Sequence, residues 1–134
     1  AYPYWPQSHM LVWYKPTGRR GRGWLHSHEL VLHLRTPGTD YADGFRQDVI
    51  GIMPVRTLNR QHPAEKPGEL LDFLADALPP RTSTMILDPF AGSATTLVVA
   101  KKRGINAIGI EIEPRYCEIA VKRLRQEVLP LSHG

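Results

Sequence analysis

Asp88 and Glu111 each close a short apolar run, and they stand about 20 residues apart, the spacing a nucleoside-binding α/β unit requires. Asp88 follows Met85-Ile86-Leu87, and Glu111 follows Ala107-Ile108-Gly109-Ile110. An acid at the carboxyl end of a parallel strand lies outside the sheet edge, where open α/β sheets bind ligands, and its carboxylate can face a cationic group there. The turn after Asp88 reads Pro89-Phe90-Ala91-Gly92-Ser93-Ala94-Thr95-Thr96. Gly92 has no Cβ, so the backbone can turn sharply and a ligand can come close. A phosphate-gripping loop needs a second Gly followed by Lys and a hydroxyl residue, and neither is present. A dinucleotide fold places three glycines in this turn, and here there is one. The pattern that remains suits a positively charged nucleoside without phosphates.

These residues need a strand, a helix and a second strand to position them. Met85–Asp88 is the first strand. The helix reads Thr96-Leu97-Val98-Val99-Ala100-Lys101-Lys102-Arg103, apolar first and basic in its last turn, as the macrodipole favours, with Gly104 as the stop. Ser93, Thr95 or Thr96 is expected to cap its start. The second strand ends on Glu111, and a last helix runs from Pro114 to Val128 with Ile119, Ala120, Leu124 and Val128 on its apolar side. Glu113 and Glu118 fall on its solvated face.

Three motifs in order make the chain recognisable: His62-Pro63-Ala64-Glu65-Lys66-Pro67, then Asp88 to Thr96, then Gly109-Ile110-Glu111. Together they resemble the amino-DNA methyltransferases that methylate adenine N6 or cytosine N4. The His-Pro…Lys-Pro segment lies upstream of the cofactor loop, which resembles the permuted group whose catalytic half precedes its cofactor half. The resemblance is strong over residues 57–127 and less specific from Trp5 to Leu34.

The resemblance implies an α/β, partial Rossmann-like fold, S-adenosylmethionine as cofactor and double-stranded DNA as partner. Asp88 and Gly92 would contact the methionine part of the cofactor, and Phe90 would pack against it within a loop that also includes Pro89 and Ser93. Glu111 would accept hydrogen bonds from the ribose hydroxyls, and Ile112 would lie against the adenine. His62, Pro63, Lys66 and Pro67 would close over the methionyl end and open a helix from Gly68 to Leu78. The family usually has Gly where this chain has Ala94. Helical dihedrals there would suit Ala, whereas a positive φ would weigh against the cofactor site.

One family element is absent from these 134 residues: the Asp-, Asn- or Ser-Pro-Pro-aromatic tetrapeptide. Ala1-Tyr2-Pro3-Tyr4 has Ala where an oxygen acceptor is needed. An exocyclic amine has its lone pair delocalised into the ring, so it attacks a sulfonium methyl poorly unless acceptors orient it and an aromatic stacks on the flipped base. No catalytic residue is therefore assigned. The chain is expected to be the C-terminal part of such an enzyme, with the central catalytic strands missing and a catalytic N-terminal half supplied in cis or in trans. Unpaired edges on Met85–Asp88 and on the hairpin should then make it poorly stable alone. The two parts could instead close against each other.

The amino-terminal part reads as a hairpin of Met10–Tyr14 and Glu29–Leu34. Its basic loop carries Lys15, Arg19, Arg20 and Arg22 among glycines, a pattern suited to phosphate contact, and the net charge of +4 permits nucleic-acid binding. Residues 1–35 are thus the end of a catalytic half, 36–59 a short variable or target-recognition linker, and 60–134 the cofactor-binding half.

Other residues carry less. His26 and His28 lack accompanying ligands, so no metal site is expected. His62, flanked by Pro63, reads as a loop-positioning residue rather than a general base. Cys117 is the only cysteine, which fits a cytoplasmic protein, and no apolar stretch is long enough for a membrane span. The function expected is DNA methylation at an exocyclic amine, with an inactive DNA- or partner-binding module as the alternative. Methylation of a small molecule, RNA or protein is less consistent with the pairing of the His62–Pro67 and Asp88–Thr96 segments.

Overall fold

A computed structural model of the chain describes residues 7–19, 23–36, 46–78 and 84–126. The elements in order are β1 (Gln7–Arg19), β2 (His26–Arg35), β3 (Val49–Gly51), α1 (Gly68–Ala75), β4 (Met85–Asp88), α2 (Thr95–Lys102), β5 (Asn106–Gly109) and α3 (Pro114–Arg125), with one 3-10 turn at Thr57–Asn59.

β1 and β2 form the expected antiparallel hairpin, pairing Met10 with Leu32 and Val12 with Leu30. Both strands run further than the apolar residues alone suggest. β1 continues through Lys15 to Arg19, with an irregularity between Tyr14 and Arg19. Pro16 falls inside that break, and a proline has no N–H to give to a ladder. β3 was not anticipated within 36–59. It pairs parallel with β1, Trp13 opposite Ile50, so the order is β2-β1-β3.

This sheet packs on α1. Trp13, Ile50 and Leu70 are buried together, with Leu11, Ile52, Phe73 and Leu74 around them. The Trp13 indole donates to the Ile52 carbonyl at 2.8 Å, satisfying the one polar group that so large a side chain brings inside. Thus the middle segment supplies core residues as well as a connection.

β4 and β5 form a separate parallel pair, Asp88 opposite Gly109, joined through α2. α2 covers one face of the pair, burying Val99 and Ala100. The approach is close: a Cβ on Gly109 would stand 2.8 Å from the Leu97 methyl carbons and 3.0 Å from Ala91 Cβ. Arg103, at the end of α2, binds Asp72 at 2.6 Å and Asp76 at 2.7 Å and so ties α2 to α1. Hydrogen bonding to Asp72 and Asp76 holds the Arg103 guanidinium charged well beyond its ordinary range.

The helices end close to expectation, α1 stopping at Ala75 before a turn to Leu78, and α3 at Arg125. Val128 and the tail lie outside the described residues.

Among the described residues, β2 pairs only with β1, and β4 only with β5. Each sheet also has an uncovered apolar face. Met10, Leu30 and Leu32 are about 60% exposed on one, and Met85, Leu87 and Ile108 are at least half exposed on the other. The two parts do not close into one sheet, and the fold is a partial α/β one with open edges.

Candidate functional site

The loop after β4 is stitched to the chain after β5. Ile110 N–H donates to the Asp88 carbonyl at 2.8 Å, and Ala91 N–H to the Ile110 carbonyl at 2.9 Å. The Asp88 carboxylate accepts the Phe90 N–H at 3.0 Å through one oxygen, which sets the turn. Gly92, at φ +53°, then turns its N–H onto a Glu111 oxygen at 2.8 Å.

The other Glu111 oxygen accepts the Glu113 N–H, also at 2.8 Å. That bond is the main reason its pKa lies below the ordinary glutamate value. Burial opposes the shift, while the Gly92 and Ile112 amides and the nearby His62 add to it. A carboxylate has about four lone-pair positions, so with three amides donating one remains for a hydroxyl of a bound ligand.

The helix start differs from expectation. No hydroxyl caps α2; its N-cap is Ala94, in left-handed backbone at φ 63° and ψ 34°. Ala94 is also fully buried. This is the position where the resembled family usually has Gly; the backbone takes the positive φ that weighs against the cofactor site, and the strain of a left-handed residue with a Cβ, about 1–2 kcal/mol, is retained here. The Ser93 and Thr95 hydroxyls instead accept hydrogen bonds from Arg123 on α3, at 2.9 and 3.3 Å.

The His62–Glu65 turn is closed by its own groups. Glu65 N–H donates to the His62 carbonyl, Gln61 N–H to the Glu65 carboxylate, and Ala64 N–H to His62 Nδ1. With Nδ1 accepting, a neutral His62 carries its proton on Nε2. The imidazole stands edge-on to Tyr116, 4.2 Å between centroids, and 3.6 Å from where a Gly92 Cβ would be. Such packing supports a positioning role for His62.

Together these segments wall a cavity of about 520 Å³, a size suited to a small ligand. His62, Lys66, Asp88, Phe90, Gly92, Ser93 and Glu111 line it, as do Glu65, Leu71 and Thr96, to which the sequence analysis gave no cofactor role. Pro67, Pro89 and Ile112 lie outside the lining. Pro67 is buried as the N-cap of α1. Phe90 is 87% exposed and Ile112 95%, two large apolar side chains with nothing over them.

Lys66 also reaches away from the cavity, to Glu29 on β2 at 2.7 Å, and lies over the Trp13 ring. Glu29 binds Lys15 as well. Burial would raise the Glu29 pKa, but the hydrogen bonds from Lys15 and Lys66 outweigh it and leave the net shift downward. Of the basic residues assigned to DNA, Lys15 is therefore held against the sheet by Glu29 and Trp13, not in an open loop. Arg19 ends β1; its side chain, Arg20 and Arg22 lie outside the described residues.

A partial α/β fold thus carries an acid-flanked glycine turn at the carboxyl ends of β4 and β5. The DNA methylase family model (N6_N4_Mtase) matches residues 46–122, more than half of the chain, and the chain belongs to that family. It is 43% identical over 70 residues to the type II methyltransferase M.ScaI of Streptomyces caespitosus, and 48% identical over 67 residues to M2.DpnII of Streptococcus pneumoniae. These matches cover 52% and 50% of this chain but only 23% and 25% of those proteins. Among solved structures, the M1.HpyAVI–SAM complex aligns with a TM-score of 0.72 at 26% identity, covering 88% of this chain and 62% of that one. The matched stretch thus spans about a quarter of the two sequence relatives and 62% of the M1.HpyAVI chain, under two thirds in every case.

Proposed function

We propose that this chain is the S-adenosylmethionine-binding part of a DNA methyltransferase that modifies an exocyclic amine, adenine N6 or cytosine N4. The observation that carries this reading is the Gly92–Glu111 hydrogen bond in the wall of the cavity, which Asp88 also lines. The donor set suits the cofactor. Asp88 offers a carboxylate to its cationic methionyl end, Glu111 keeps an acceptor position for a ribose hydroxyl, and Phe90 and Ile112 offer apolar surface to the methionyl side chain and the adenine. His62 and Pro63 shape the methionyl end, and Lys66 and Pro67 anchor that segment to the hairpin and to α1.

When bound, S-adenosylmethionine supplies an electrophilic methyl group on a sulfonium. This chain's residues bind and orient; none is assigned to hold the target amine. That task falls to a Pro-Pro-aromatic tetrapeptide on a catalytic half supplied in cis or in trans. The bare faces and open edges of β2 and β4 support such a complement, since two missing strands between them would pair both edges. Lys15, Arg19, Arg20 and Arg22 remain the candidate contacts to double-stranded DNA, and the work belongs in the cytoplasm.

The test is mass spectrometry of nucleosides from DNA incubated with S-adenosylmethionine, this chain and a polypeptide carrying the tetrapeptide. N6-methyladenine or N4-methylcytosine should form only when both polypeptides are present. A folded, cofactor-bound pair that yields neither base would overturn the reading. DNA retention without either product favours the alternative, an inactive binding module on a methyltransferase scaffold.

A further inference from the structure

Arg123 lies outside the motifs that define the site, one residue beyond the stretch matched by the family model. Yet its Nη1 meets both walls of the cavity. It lies 2.9 Å from the Glu65 carboxylate and 2.8 Å from the Ser93 carbonyl, besides the Ser93 and Thr95 hydroxyls. Glu65 is 58 residues away in sequence and Ser93 is 30. The Glu65 side chain is 6% exposed and that of Arg123 24%, so the pair is largely shielded from water.

We propose that Arg123 is a positioning residue that latches the His62–Glu65 turn onto the Ser93–Thr95 loop and thereby sets the affinity of the cavity for S-adenosylmethionine. This rests on the cofactor-binding reading above. α3 grips the turn at two points, Tyr116 on His62 and Arg123 on Glu65. They are seven residues apart, two helical turns, and so share one helix face. The Glu65 oxygens divide the work: one accepts Gln61 N–H and closes the turn, the other accepts Arg123.

The arginine replaces what the loop lacks. The hydroxyls that would cap α2 turn to Arg123 instead, and Ala94 holds a left-handed backbone that the buried contacts must maintain. Without the latch the loop and the turn move independently, and the binding-competent arrangement becomes a fraction of the population. Apparent affinity falls by that fraction, with no cofactor contact removed.

The experiment uses the full chain with Arg123→Ala, Arg123→Lys and Glu65→Gln, and with Arg103→Ala as a control that breaks the α1–α2 ion pairs away from the cavity. Calorimetry reads S-adenosylmethionine affinity, and amide hydrogen exchange reads the Gly92–Thr95 loop without cofactor. Arg123→Ala should weaken binding by about tenfold or more and speed loop exchange. Arg123→Lys, which keeps the charge on a shorter side chain, should recover part of both. Glu65→Gln should add little on top of Arg123→Ala, because the two share one interaction. Arg103→Ala should lower the melting temperature yet leave affinity within about twofold.

Should Arg123→Ala fail to fold, the same comparison is made on Arg123→Met, which keeps the apolar stem without the charge and for which affinity and exchange equal to the parent overturn the latch. Unchanged affinity and exchange in a folded Arg123→Ala do the same. A parent chain that binds no S-adenosylmethionine overturns the cofactor reading instead, and the exchange comparison still decides whether the latch exists.

Discussion

The Gly92 amide donates to the Glu111 carboxylate at 2.8 Å across 19 residues, joining the loop after β4 to the chain just after β5. Neither residue alone makes the site. Gly92 needs its positive φ to aim the N–H, and Glu111 needs the amides of Gly92 and Glu113 to fix its orientation while it stays ionised.

Glu111→Ala should weaken S-adenosylmethionine binding by about tenfold or more, since it removes both the strap and the ribose acceptor. The pH dependence follows from the downward shift of Glu111. A carboxylate with a lowered folded pKa contributes stability above its unfolded pKa, about 4.3 for glutamate, and loses it as pH falls through the folded value. Binding should therefore be insensitive to Glu111 from neutral pH down to the ordinary glutamate range and decline only below it. Calorimetry across acid pH checks this; a Glu111-dependent decline near neutrality would contradict it.

Gly109→Ala should destabilise the chain by about 1–3 kcal/mol, the usual range for overpacking. The Leu97 methyl carbons can rotate away from the added Cβ, but Ala91 Cβ at 3.0 Å cannot. Urea denaturation reads the cost. A change below about 0.5 kcal/mol would mean that α2 does not approach β5 this closely.

At Ala94 two terms oppose each other. Glycine relieves left-handed strain of about 1–2 kcal/mol but gives up a buried methyl worth about 0.8 kcal/mol. Ala94→Gly should therefore gain between nothing and about 1 kcal/mol in stability. Ala94→Val, β-branched in the same backbone, should lose more than about 2 kcal/mol. Equal midpoints for all three in urea denaturation would contradict the left-handed assignment.

Leu30 and Leu32 sit on the bare face of the hairpin, 58% and 60% exposed. Replacing both with Ser should reduce self-association in sedimentation while shifting stability by no more than about 0.5 kcal/mol each. A large loss of stability would show that the face is already covered within the chain.

The stretch from Met85 to Glu111 was legible because its signals are local: a short apolar run, one glycine, a helix with its basic residues last, and a second run ending in an acid. Helix ends came within about three residues, the usual precision of a boundary. β3 was not legible, because three residues between Asp48 and Ile52 have no period to detect, and only Ile50 opposite Trp13 reveals them as a strand. The hydroxyls of Ser93 and Thr95 have the right types and positions for a cap, yet a guanidinium 30 and 28 residues away takes them. Lys15 was read from the charge around it, whereas its place is decided by Trp13, two residues away in β1, and by Glu29, which only the hairpin register brings near. What sequence reasoning missed in the site is long-range side-chain pairing.

The most direct measurement is calorimetric titration of S-adenosylmethionine into the folded chain and into Asp88→Asn, which keeps an acceptor for the Phe90 amide while removing the charge. Binding in the micromolar range, weakened by about tenfold or more in Asp88→Asn, is the expected result. No binding by a chain that melts cooperatively would contradict the assignment of this cavity to the cofactor.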